Sequence, residues 1–183
     1  MDKFAWTKIY TELATALLQY KNNRKALVDL LQDVFSEVGM KFPYVEDDAP
    51  VEDIDPFTVM GSFNRGITND NRVAILSGLK SRLTLTEEVP DVFDGIPVLN
   101  NLKAWFFAGK NDRADDDIQN LWNMFEVAIS YADEPNSEKR SRFIAQYDRV
   151  TKQKIIRWNL TMGMYWCRPN TYINLDDRNR KFI

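Results

Sequence analysis

Apolar side chains recur three and four positions apart over much of this chain, which predicts a succession of amphipathic helices. Trp6, Ile9, Tyr10, Leu13, Leu17 and Leu18 form the first stripe, on a helix from Asp2 to Lys21. Asn22-Asn23 breaks it, and Asn23 suits the N-cap of a second helix. That helix carries Leu27, Leu30, Leu31, Val34, Phe35 and Val38 and stops at Gly39. The expectation for residues 2–39 is a helical hairpin whose two stripes face each other.

The pattern lapses over 42–55, where two prolines and a run of carboxylates (Glu46, Asp47, Asp48, Glu52, Asp53, Asp55) read as a solvated acidic connector. Asp55-Pro56 then opens a short helix with Phe57, Met60 and Phe63 inward. After the turn Asn64-Arg65-Gly66, Thr68 or Asn69 caps a longer helix bearing Val73, Leu76, Leu79 and Leu83. Short helix, glycine turn and longer helix match the outline of a helix-turn-helix, with Asn71 and Arg72 in the first turn of its second helix. Two prolines and Asp94-Gly95 make 89–98 irregular, and Leu102 to Phe107 is apolar enough for a buried short helix or strand. A further helix carries Ile118, Leu121, Trp122, Phe125, Ala128 and Ile129. Another, capped by Ser137, turns Phe143, Ile144, Tyr147 and Val150 inward. Residues 155–175 fit both periods. Ile155, Trp158, Met162 and Tyr165 suit a helix ending near Arg168-Pro169, whereas Trp158, Leu160, Met162 and Met164 suit a strand. Tyr172–Leu175 suits a short strand. The fold class expected is mostly α, with α+β and a small β element in the second half as the alternative, in one domain spanning 1–183.

Composition changes this picture in three ways. The 183 residues contain no histidine and one cysteine, Cys167. Histidine-based triads, histidine-ligated metals and disulfide frameworks are therefore excluded, and Cys167 reads as structural. No apolar run approaches the roughly 20 residues of a membrane span, nor does the start resemble a signal peptide, so a cytoplasmic location is expected. The net charge of −3 conceals a division. Residues 1–137 hold 13 basic and 23 acidic side chains, while 138–183 hold 11 basic and 4 acidic ones.

That basic end is also aromatic. Trp158, Tyr165, Trp166 and Tyr172 alternate with Arg157, Arg168, Arg178, Arg180 and Lys181, and Lys152 and Lys154 precede them. Aromatics among bases suit nucleic acid, with rings stacking on bases and cations holding phosphates. Core packing is the competing reading for each aromatic, including Trp105. Asn100-Asn101 suits an adenine edge or a helix cap.

The segment DPFTVMGSFNRGITNDNRVAILSGLK, the run FDGIPVLNN and the closing TMGMYWCRPNTYINLD resemble the N-terminal region of McrB-like AAA+ proteins of modification-dependent restriction systems. The resemblance covers most of the chain from Asp55 onward. It implies a target-recognition region of about 56–183 that senses DNA, possession of an AAA+ motor elsewhere in the protein, and a separate nuclease subunit. The abrupt end on Phe182-Ile183 fits a domain cut from something longer. No G-x-x-x-x-G-K-[ST] occurs, since Gly109-Lys110 runs into Asn111, so nucleotide hydrolysis is not expected of this chain; a carboxylate-dependent nuclease is not expected either, since no paired acidic residues sit beside a Lys in a strand context, and no metal or cofactor is expected. The residues expected to touch DNA are Lys152, Lys154, Arg157, Arg168, Arg178, Arg180, Trp158, Trp166, Asn71 and Arg72. The other class of function consistent with the residues is a protein-interaction module that supports the motor ring or recruits a partner.

Overall fold

A computed structural model describes residues 3–101 and 104–182. Asp2, Leu102 and Ile183, on which some of the expectations above fall, lie outside the described residues. Among those described, the chain forms seven α-helices in one domain: α1 (Trp6–Leu17), α2 (Arg24–Glu37), α3 (Pro56–Gly61), α4 (Asn69–Leu83), α5 (Asp117–Asp133), α6 (Ser137–Val150) and α7 (Asn159–Cys167). The mostly-α class is therefore observed.

The centre of the molecule is α3, whose six residues are all buried. It starts there because Asp55 caps it, accepting from Phe57 N at 2.8 Å and Thr58 N at 3.1 Å, while Pro56 fits the first turn. Thr58 Oγ1 also donates to the Asp55 carboxylate and accepts from Phe106 N at 2.9 Å, tying the 104–109 segment to the cap. Around α3 lie α5 and α7. Gly163 allows α7 its approach: a Cβ there would stand 2.7 Å from Phe57 Cδ1.

The two N-terminal helices bury the expected stripes, but not against each other. α1 packs chiefly on α7, and α2 on α4. The reason is visible at Gly78 of α4, where a Cβ would fall 2.8 Å from Val34 Cγ1. The small residue lets α4 sit on the α2 stripe, displacing the expected helical hairpin contact. Gly39, at φ +69°, ends α2 as expected.

Further expectations are corrected. The β element lies in the first half, where β1 (Val45–Glu46) pairs antiparallel with β2 (Ala49–Pro50). Asp47 and Asp48 both adopt positive φ, the requirement of a tight I′-type hairpin, so this part of the acidic connector is an ordered turn. Asp47, Asp48 and Glu52 are exposed, as a solvated connector requires, but its flanks are not: Tyr44, Val51, Ile54 and Asp55 are buried. Among the described residues no strand forms over Tyr172–Leu175, and 155–175 resolves into a loop, α7 and an irregular tail. Finally, Asn136 rather than Ser137 caps α6, accepting from Lys139 N at 2.9 Å, and Ile144 is 40% exposed.

Candidate nucleic-acid interface

The basic–aromatic stretch divides into a buried half and an exposed half. The buried half is the end of α7. Trp166 is fully enclosed, and its Nε1 donates to Pro97 O at 3.0 Å. Arg168, 7% exposed, makes a bidentate pair with Asp133, Nε to Oδ1 at 2.5 Å and Nη2 to Oδ2 at 2.8 Å. The same guanidinium donates to Thr11 O at 3.1 Å and Thr15 Oγ1 at 2.9 Å. It thus joins the ends of α5 and α7 to the side of α1. The Arg168 hydrogen bonds hold the Asp133 carboxyl below the usual carboxylate range. Neither Trp166 nor Arg168 is free to meet DNA, which corrects both assignments. Cys167 beside them is buried and its thiol is pushed far up by burial, so its structural reading stands.

Arg72 is corrected in the same way. It is buried, donating from Nε to Phe63 O at 2.9 Å and from Nη1 to Asn69 Oδ1 at 2.8 Å, with its guanidinium 5.0 Å from the Phe93 ring. Asn71 is half-buried and its backbone N–H closes the Thr68 cap. The first turn of α4 then presents Asn69 and Asp70 to solvent and no cation, so the start of the would-be recognition helix offers no charge to a phosphate.

The exposed half begins in the loop between α6 and α7. Val150 and Ile156 anchor it in the core, and Gln153 Nε2 donates to Asp117 O at 3.1 Å. Between and beyond these anchors Lys152, Lys154, Ile155, Arg157 and Trp158 face solvent, with Trp158 46% exposed. Among the described residues, Lys152 and Arg157 enter no ion pair, whereas Lys154 Nζ pairs with Asp112 Oδ1 at 2.6 Å. Ile155 has φ +64°, a left-handed conformation that is strained for a β-branched residue.

The tail returns to the same place. Leu175 N donates to Thr161 Oγ1 at 3.1 Å, and Asp176 Oδ1 accepts from Arg178 N at 3.0 Å and Asn179 N at 2.8 Å. These bonds shape the short turn Asn179–Phe182 and set the Arg180 guanidinium 5.0 Å from the Trp158 ring. Arg180 also bonds Asp177. Arg178 and Lys181 are exposed. The structure therefore brings Arg157, Trp158 and Arg180 to one end of α7. Lys152 and Lys154 lie on the adjoining loop, and Arg178 and Lys181 on the turn that carries Arg180. Of the other aromatics, Tyr165 is half-buried against Trp6 (5.8 Å between centroids), and Trp105 is half-buried between Tyr44 and Phe107. Asn101 Nδ2 reaches Gly66 O at 3.5 Å.

A family of chains matches residues 6–183 of this one, nearly its whole length; it is described as Domain of unknown function (DUF8425). The chain belongs to that family. No curated protein and no solved structure matches it. Membership in DUF8425 thus spans all seven helices. Among the described residues no helix is long and apolar enough to cross a membrane, and no group of three or more Cys, Asp or Glu residues could hold a metal ion.

Proposed function

We propose that this domain is a DNA-binding module, serving as the target-recognition region of an McrB-like restriction NTPase in the cytoplasm. On this reading it is not a catalyst. An AAA+ motor hydrolyses the nucleotide and a nuclease subunit cuts. The observation that carries the reading is the exposed Trp158, flanked by the Arg180 guanidinium at 5.0 Å and by Arg157, which has no carboxylate partner among the described residues. An aromatic ring held by a cation at a basic surface can stack on a base while neighbouring cations neutralise phosphate. The revised contact set is Lys152, Lys154, Arg157, Trp158, Arg178, Arg180 and Lys181.

The test is binding to labelled duplexes and single strands, unmodified or carrying modified cytosine or adenine. Binding that falls about tenfold in Trp158→Ala supports stacking. A preference for one modified duplex names the mark. Absence of binding to every duplex and strand at low salt refutes DNA recognition by this domain.

A further inference from the structure

A second surface, on the acidic part of the chain, has a different chemistry. Aromatic rings, buried and half-buried in turn, form a series of edge-on contacts: Phe35 to Phe42 at 5.8 Å, Phe42 to Tyr44 at 5.6 Å, Tyr44 to Trp105 at 5.1 Å and Trp105 to Phe107 at 5.2 Å. The series ends in an open cleft of about 440 Å³ walled by Trp105, Phe107, Val45 and Ile155. Val45 is 39% and Ile155 47% exposed, so two aliphatic side chains stand at its edges, one of them on the strained left-handed residue. Trp6, Trp122 and Trp166 each donate their indole N–H to a backbone carbonyl. Trp105, although half-buried, donates to no acceptor among the described residues.

The charged residues that line the cleft are Glu46, Asp112 and Lys154, and the segments 45–48 and 109–116 that run into it also carry Asp47, Asp48, Asp115 and Asp116 against Lys110 and Arg113, with Asp47 paired to Lys110 Nζ at 3.7 Å. Glu46 is occupied by Arg113 at 2.6 Å and by Lys110 N at 2.9 Å. Asp112 is held only by Lys154, in a pair about two-thirds exposed on both partners. Such a pair is weak and exchangeable.

We propose that this cleft binds an extended peptide of a partner protein through an arginine or lysine. The basic side chain lies along Trp105 and replaces Lys154 at Asp112, and a peptide carbonyl accepts from the Trp105 indole N–H. Arginine is the better fit, because its planar group stacks and pairs at once. The excess of carboxylates selects a basic peptide over an acidic one, and an open cleft suits an extended chain. This site is independent of the DNA reading, although Lys154 belongs to both surfaces.

The test uses the full chain and an oriented library of fluorescent decapeptides, spaced with alanine and proline, one position randomised at a time. The expected result is selection of arginine, then lysine, at one position. Replacing that arginine by neutral citrulline, which removes both the stacking cation and the ion pair, weakens binding about tenfold, and Asp112→Asn, which removes only the pair, weakens it about threefold. Trp105→Phe, which keeps a ring and removes the indole donor, weakens it several-fold, while Lys154→Ala tightens it by freeing Asp112. A merely structural role would not produce that last gain, and the same variant weakens DNA binding if both surfaces work as described. No positional preference for a basic residue overturns the proposal. So does basic selection at every position alike, unaltered by Asp112→Asn and Trp105→Phe.

Discussion

Trp158 and Arg157 stand at one end of α7, Trp166 and Arg168 at the other, and the two pairs have nearly the same chemistry in the sequence. Their fates are opposite. Trp158 is 46% exposed and Arg157 faces solvent, whereas Trp166 is fully buried and Arg168 is 7% exposed. The difference lies in what each arginine finds. Arg168 meets a carboxylate, a carbonyl and a hydroxyl already placed by α5 and α1, enough acceptors to repay its desolvation. Arg157 follows the left-handed Ile155 on a loop that leaves the core, so it stays hydrated and available. A basic–aromatic composition thus marks a region, and burial decides which of its side chains build the core and which stay at the surface.

The comparison is sharpest in paired substitutions. Trp166→Ala removes a fully buried ring and leaves the Pro97 carbonyl unpaired, with an expected loss of about 3–5 kcal/mol in chemical denaturation. Trp158→Ala is expected to change stability by no more than about 0.5 kcal/mol, its effect appearing in DNA affinity instead. Arg168→Ala opens the junction of α1, α5 and α7 and leaves the α1 carbonyl of Thr11 without its donor, while the exposed Asp133 carboxylate rehydrates, for an expected loss of about 1–3 kcal/mol. Arg157→Ala is expected to leave the denaturation midpoint unchanged.

Smaller effects follow from pH, with two carboxylates of opposite sign. Asp133 is held below its ordinary value by Arg168, so its contribution is complete above about pH 4 and is lost as pH falls through the depressed value. Asp133→Asn should remove that acid limb of the stability profile. Asp55, buried at the α3 cap, has its carboxyl raised to about 7 by desolvation. The folded protein therefore holds that proton more tightly than the unfolded chain, and stability declines as pH rises from about 4 towards 7. Asp55→Asn, which keeps an oxygen for Phe57 N and Thr58 N, should flatten the decline. Denaturation midpoints measured across pH 3–8 would separate the two limbs. An Asp55→Asn profile that keeps its decline between about 4 and 7 would contradict the assignment.

Much of the fold was legible because helices announce themselves locally. The stripes of α1, α2 and α5, the Asp55-Pro56 start of α3 and the Gly39 stop all follow from spacing and capping. What could not be read was partnership. Nothing in the α1 and α2 stripes says that each prefers another helix, since that depends on Gly78 admitting α4 to Val34. The hairpin at 45–50 was hidden by its acidic, proline-flanked composition, although adjacent aspartates at positive φ are a known turn solution. For the site, the spacing Ile155, Trp158, Met162, Tyr165 runs three and four apart, yet α7 starts only at Asn159 because the backbone breaks at Ile155. That break resets the phase and leaves Trp158 outside. Periodicity alone could not separate Arg157 from Arg168, or show Arg72 folded back onto Phe63.

DNA recognition by the exposed end of α7 is tested by the salt dependence of duplex binding in the wild type, in Lys152→Ala/Arg157→Ala and in Arg168→Lys. The exposed pair is predicted to lower the slope of log affinity against log salt by about 2, each cation accounting for roughly one phosphate, while Arg168→Lys leaves the slope unchanged in the folded protein. A wild-type slope that survives loss of Lys152 and Arg157, or no binding at low salt, would contradict it.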